Sequence, residues 1–187
     1  MEEKSVWTDE QILQLFKEPN QKEAAFTQLV SNYQERLYWH IRRMVVAHHD
    51  TDDILQEVFI KAWRHLDNFR GESSLFTWLY RIATNVTLSY LEAAKRKAHS
   101  SFDAHSTYFE HKLVAEKGYD SNKIEWKLQK AIQSLPEKQK VVFNLRYYDE
   151  LPYHEMAAIL ETSEGALKAS YFHAVKKIEK YIQQNNN

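Results

Sequence analysis

Phe26, Leu29, Val30, Tyr33, Leu37, Ile41, Met44 and Val45 recur three and four residues apart, with no glycine or proline among them. That spacing lays one apolar stripe along an α-helix; a strand, whose side chains alternate, cannot use it. A helix over roughly residues 21–46 follows. The 187 residues hold only three glycines and three prolines, too few to turn a many-stranded β protein. The expected fold class is all-α. Hydrophobic residues at 43% and charged residues at 27% are globular values. Without cysteine there is no disulfide framework, thiolate metal site or cysteine nucleophile. No run reaches the ~18 apolar residues of a membrane span, and MEEKSVWTDE lacks the parts of a signal peptide. The expectation is a cytoplasmic protein with no membrane insertion.

Further elements follow from the same pattern. A short segment around Ile12, Leu13 and Phe16 ends at Pro19-Asn20. Asp50 or Thr51 is expected to cap the next helix, with Asp52 and Asp53 in its first turn and Ile54, Leu55, Val58, Phe59, Ala62, Trp63 and Leu66 as its apolar positions. Asp67–Ser74 reads as a loop, and Ser73 or Ser74 opens a third long helix carrying Phe76, Leu79, Ile82, Ala83, Val86, Tyr90 and Leu91. Periodicity fades over residues 98–122, a linker by composition. It resumes at Ile124, Leu128, Ala131, Ile132 and Leu135. Pro136 is expected at the first position of a new helix, and Pro152 starts another. Ser163 then caps a final helix with Leu167, Tyr171, Val175 and Ile178 facing inward. Two small helical domains joined by a flexible linker result: residues 1–97, 98–122 and 123–187.

Function is less evident from pattern. Net charge is −1, so the overall balance points to no partner; Lys95-Arg96-Lys97 and Lys168, Lys176, Lys177 and Lys180 are local basic spots. The short helix at 152–160, a tight turn and a longer helix fit a helix-turn-helix, whose second helix would present Glu164, Lys168, Ala169, Phe172 and His173 to a major groove. An ordinary αα-hairpin fits equally well. Trp78, Tyr80, Arg81, Asn85 and Tyr90 offer stacking faces and an amide to single-stranded bases, though aromatics on a helix more often fill a core. His48-His49-Asp50 with Asp52 and Asp53 lacks a strict metal-ligand spacing, so no metal site is assigned. No phosphate loop, HExxH or nucleophile elbow occurs; the expectation is no enzyme, no catalytic residue, no cofactor and no small-molecule substrate.

The order of longer segments is more specific. Asp52–Trp63 (DDILQEVFIKAW), Phe69-Arg70-Gly71, Phe76–Asn85 (FTWLYRIATN), Leu135-Pro136-Glu137, Val142–Tyr147 (VFNLRY) and Leu151–Ala157 (LPYHEMA) succeed one another. Together they resemble bacterial RNA polymerase sigma factors of the extracytoplasmic-function (ECF) type, over about residues 22–182. The resemblance implies a region 2 bundle of three to four helices and a region 4 helix-turn-helix domain. It implies a sigma factor directing promoter-specific transcription initiation. Asp53, Gln56, Glu57 and Phe59 would then dock on the β′ clamp helices of core RNA polymerase, with the β subunit also in contact. Asn68, Phe69, Arg70, Trp78, Arg81 and Asn85 would read and open the −10 element of promoter DNA. Glu164, Lys168, Ala169, Phe172 and His173 would read the −35 element. Ser170 and His173 stand where many relatives are basic, which implies fewer phosphate contacts. An anti-sigma factor is an implied partner. The alternative is a stand-alone helix-turn-helix regulator that never joins polymerase.

Overall fold

The computed structural model describes residues 7–99 and 124–185. They form eight α-helices and no strand: α1 Asp9–Phe16, α2 Lys22–Val45, α3 His48–His65, α4 Leu75–His99, α5 Ile124–Gln133, α6 Glu137–Tyr147, α7 Tyr153–Leu160 and α8 Glu164–Gln184. A 3-10 turn, Leu66–Asn68, follows α3. The two units expected from the sequence are both helical. Most of the 98–122 segment lies outside the described residues, and α4 runs two residues past the expected end at 97.

In the N-terminal unit α2, α3 and α4 each pack on the other two, and α1 lies against α2. Leu29, Leu37, Ile41 and Met44 on α2 are fully buried with Ile12, Val58, Ala62, Leu79 and Ala83, each large side chain contributing about 1.5–3 kcal/mol. Thr8 and Gln11 form a reciprocal capping box at α1. The start of α3 corrects the expected cap. Val46 adopts a positive φ of 68°, rare for a β-branched residue, and reverses the chain within two residues. Helix α3 therefore begins at His48, with Ala47 as its cap and only Asp50 as an acid in its first turn. Thr51 sits inside the helix, its hydroxyl donating to the Ala47 carbonyl at 2.8 Å.

In the C-terminal unit α8 packs on α5, α6 and α7. Pro136 stands one residue before α6, as a cap rather than at the first helical position. Pro152 occupies the same place before α7. Ser163 caps α8 as expected, its Oγ accepting from the Ala166 amide at 3.2 Å. The α7–α8 turn passes through Glu161 in the left-handed region (φ 51°).

The two units share a core. Helix α7 packs on α4 and α6 on α2, so Val141, Val142, Leu145, Met156, Ile159 and Leu167 join the cluster of Leu79, Ala83 and Val86. Ala131, Ile132, Leu135, Phe143, Ala174 and Ile178 make a second cluster within the C-terminal unit.

Candidate nucleic-acid interface

Helix α4 begins where the Ser74 hydroxyl accepts from the Thr77 amide at 3.1 Å. This cap fixes how the preceding loop returns to the helix, with Gly71 supplying a left-handed turn at φ 73°. Asn68, Phe69, Arg70, Glu72, Ser73, Trp78 and Arg81 thereby line one cleft of about 400 Å³. The Phe69 and Trp78 rings meet at 5.4 Å and 57°, leaving both half-buried with open faces. A flat apolar wall edged by Arg70 and Arg81 suits an unstacked base and its phosphate.

Asn85 does not join this cleft. One turn further along α4, it is exposed and lines a separate cavity of about 440 Å³ between the units, with Lys138, Glu161, Thr162 and Ser170 on the other wall. Arg81 bridges the two spaces. Its guanidinium donates to the Ala158 carbonyl at 2.6 Å and meets the Glu161 carboxylate at 3.2 Å. Of the six residues assigned to the −10 element, the fold thus gathers five around one cleft and sets Asn85 apart.

On α8, Glu164, Lys168, Ala169, Phe172 and His173 are all exposed. Phe172, at 58% exposure, is the most exposed large apolar side chain among the described residues. Leu167 is buried, while Tyr171 and Val175 are half-buried toward the core, which orients the outward face. Lys168 pairs with Glu164 at 3.6 Å and lies 5.4 Å from the Tyr153 ring.

On α3, Asp53, Gln56 and Glu57 point outward, but Phe59 turns inward and meets the Phe26 ring at 6.4 Å edge-on. Trp63 closes the same aromatic group, 5.0 Å from Phe26 and 5.4 Å from Phe16. The outward face is completed by Ile60, 44% exposed, a residue sequence reasoning passed over. Its signal was available: an isoleucine three and four residues beyond Glu57 and Gln56 on a polar face. His48 and Asp52 pair at 3.4 Å, and His49 and Asp53 at 3.2 Å, as two separate pairs, each joining residues one turn apart on α3.

A polar group missed from the sequence lies between the units. His40 is fully buried in the α2 stripe, its Nε2 3.0 Å from the Thr84 hydroxyl. Its Nδ1 faces Asp149 at 3.5 Å, and Arg43 reaches the same carboxylate at 2.7 Å. Burial, reinforced by the Asp149 charge, holds the Tyr80 phenol beside His40 well above its ordinary range.

A helical bundle with an aromatic-walled cleft, followed by a helix-turn-helix whose second helix faces outward, presents two surfaces whose chemistry suits nucleic acid. Family comparison gives the particular kind of protein. Residues 29–97 match Sigma-70 region 2, and residues 125–178 match Sigma-70, region 4. The chain belongs to the ECF RNA polymerase sigma factors. It is 36% identical over 184 residues to the ECF RNA polymerase sigma-E factor of Escherichia coli K12, covering 94% of this chain and 95% of that one. It is 35% identical over 167 residues to the RNA polymerase sigma-H factor of Pseudomonas aeruginosa PAO1, covering 85% and 86%. In fold it is similar to CnrH in complex with the cytosolic domain of CnrY, at TM-score 0.68 and 21% identity over 95% of this chain and 98% of that one. It is also similar to the sigma factor RpoE bound to the anti-sigma factor NepR from Bartonella quintana, at TM-score 0.64 and 21% identity over 86% and 98%. The chain is a polymerase-binding, promoter-specific sigma factor; similarity spanning both units disfavours a stand-alone regulator. No helix among the described residues is long and apolar enough to cross a membrane.

Proposed function

We propose that residues 1–97 read and open the −10 element, that residues 123–187 read the −35 element, and that residues 98–122 link them on the polymerase. The observation that carries the first assignment is the cleft shared by Asn68, Phe69, Arg70, Trp78 and Arg81. Its aromatic walls stack an extruded base, Arg70 and Arg81 meet the strand's phosphates, and Asn85 reads a base edge one turn on. With no phosphate-binding loop in the sequence, strand opening draws on binding energy, with unpairing offset by stacking and backbone contacts. On α8, Lys168 meets a phosphate or guanine edge and Phe172 a thymine methyl. The Asp53–Gln56–Glu57 face of α3, with Ile60 at its centre, docks on the β′ clamp helices; a carboxylate-edged apolar seam suits a basic coiled coil.

The protein acts in the cytoplasm, and an anti-sigma factor is a partner, supported by two solved structures of similar fold that are complexes. Transcription from a matched promoter by core polymerase plus this chain tests the whole reading. Permanganate reactivity of unpaired thymines reads strand opening, and transcription without opening at the −10 position would refute the cleft assignment.

A further inference from the structure

We propose that Lys22 is a positioning residue for −10 recognition: through Asp67 it sets the turn that carries Asn68 and Phe69 toward Trp78, and so couples α1 to base selection. The inference rests on the reading of the cleft given above.

The sequence supplies the first sign. Helices α1, α6 and α8 open on an acid, Asp9, Glu137 and Glu164, where the positive end of the helix dipole favours negative charge. Helix α2 opens on a lysine, and Gln21 before it gives no side-chain cap. A cation in that place works against its own helix, so the reason for it lies outside α2.

That reason is tertiary. The Lys22 ammonium meets the Asp67 carboxylate at 2.6 Å and stands 4.7 Å from the centre of the Phe16 ring and 5.5 Å from that of Trp63. Phe16 closes α1, Trp63 lies in the last turn of α3, and Asp67 is the middle residue of the 3-10 turn. One ammonium therefore joins three elements. An ion pair in open water does little by itself. Here the lysine side chain is 30% exposed, and two aromatic rings also attract its charge, which restricts where it can stand.

The cleft depends on that restriction because its two walls are held by different devices. Trp78 belongs to α4, whose start is fixed by the Ser74 cap. Phe69 follows a turn of three residues, closed by its own amide donating to the Leu66 carbonyl at 3.1 Å. Leu66 is buried and pins the start of the turn, but a piece this short can swing about one fixed point. Asp67, one residue before Asn68, is the second. A turn released there would move Asn68 and Phe69 against a fixed Trp78 and change the gap that a base must fill.

The test uses holoenzyme made from core polymerase and the full chain, on a mapped promoter and on templates carrying each base in turn along the −10 element. Permanganate reactivity gives the fraction opened. Lys22→Met keeps the stem beside Phe16 and Trp63 and removes the charge; Asp67→Asn breaks the same link from the other side. Each should lower the preference for the favoured base about five-fold or more, the low end for one well-placed base contact. Duplex −35 binding and the salt slope of open-complex formation should stay at wild type. The two changes together should cost no more than either alone, since both break one link, and Lys22→Arg should retain the preference. Should Lys22→Met fold poorly, Asp67→Asn, at a half-exposed side chain, carries the comparison. Unchanged preference in the single variants overturns the proposal. So do additive losses in the double variant, or a Lys22→Met salt slope smaller by about one, which would put Lys22 on a phosphate itself. Trp78→Ala in the same assay tells which reading has failed. If it flattens the preference while the Lys22 and Asp67 variants do not, the proposal alone falls; if it too changes nothing, the cleft assignment falls and takes the proposal with it.

Discussion

The Phe69 and Trp78 rings lie 5.4 Å apart, one just past the 3-10 turn and the other in the first turn of α4. Their pairing turns two sequence positions nine apart into one wall of a cleft. Trp78→Ala should weaken strand opening by roughly 1–3 kcal/mol, the range for one base stacked on an aromatic side chain. Permanganate footprints of the holoenzyme would report it as reduced thymine reactivity, with duplex −35 binding unchanged.

Asn85→Ala should reduce open-complex formation on duplex promoters, with roughly 1–3 kcal/mol at stake for a well-formed bidentate amide contact. Because Asn85 is exposed, thermal stability should hold. Open-complex lifetimes equal to wild type would remove Asn85 from base reading.

The α3 face separates docking from packing. Gln56→Ala with Ile60→Ser should weaken assembly with core polymerase while the melting temperature stays near wild type, since both side chains are exposed. Phe59→Ala should instead lower the melting temperature, by an amount below the roughly 3–5 kcal/mol of a fully buried phenylalanine, because Phe59 is half-buried against Phe26. Competition binding to core and differential scanning fluorimetry together distinguish the two effects. Full affinity in the Gln56–Ile60 variant would refute the docking face.

On the recognition helix, Lys168→Ala should weaken −35 duplex binding and reduce the magnitude of the salt slope by about one if it contacts a phosphate. The loss of its pair with exposed Glu164 should matter little to stability. Equal salt slopes for variant and wild type would leave Lys168 as a solvated charge.

Lys140 provides a pH prediction. It is buried, donates to the Gln133 side-chain oxygen at 2.8 Å, and burial pushes its ammonium down from 10.5 to about 8. Below pH 8 both folded and unfolded chains hold the proton, so the folded state carries the full cost of a buried cation. Between about pH 8 and 10.5 the unfolded chain binds more protons, and stability rises with pH. The change is on the order of 3 kcal/mol. Lys140→Met should raise the melting temperature at pH 7 and flatten this rise relative to wild type. A lower melting temperature at pH 7 would show that the bond to Gln133 outweighs the desolvation.

Helix positions were legible because burial imposes a period on the chain: the α2 stripe, the Ser163 cap and the inward run Leu167, Tyr171 and Val175 all lie where the spacing put them. The start of α3 was not legible. Cap propensity favoured Asp50 or Thr51, but the positive φ at Val46 let the helix begin sooner, a backbone choice held by surrounding packing. The linear order DDILQEVFIKAW, FTWLYRIATN and LPYHEMA sufficed to place the chain in its family, since long motifs retain their order through the chain.

What the sequence alone determined, then, was the set of helices, their apolar faces and the family to which their motifs belong. Tertiary structure decided which residues work together and which are covered. Phe59 turned inward because Phe26, on another helix, meets its ring edge-on. Asp149 met Arg43 and His40, and Ala158 met Arg81, across more than seventy residues of chain. Helical periodicity records which face of each segment avoids water. It carries no information about which distant helix supplies the cover, because that choice depends on shape and charge matching between surfaces that meet only when the chain has folded.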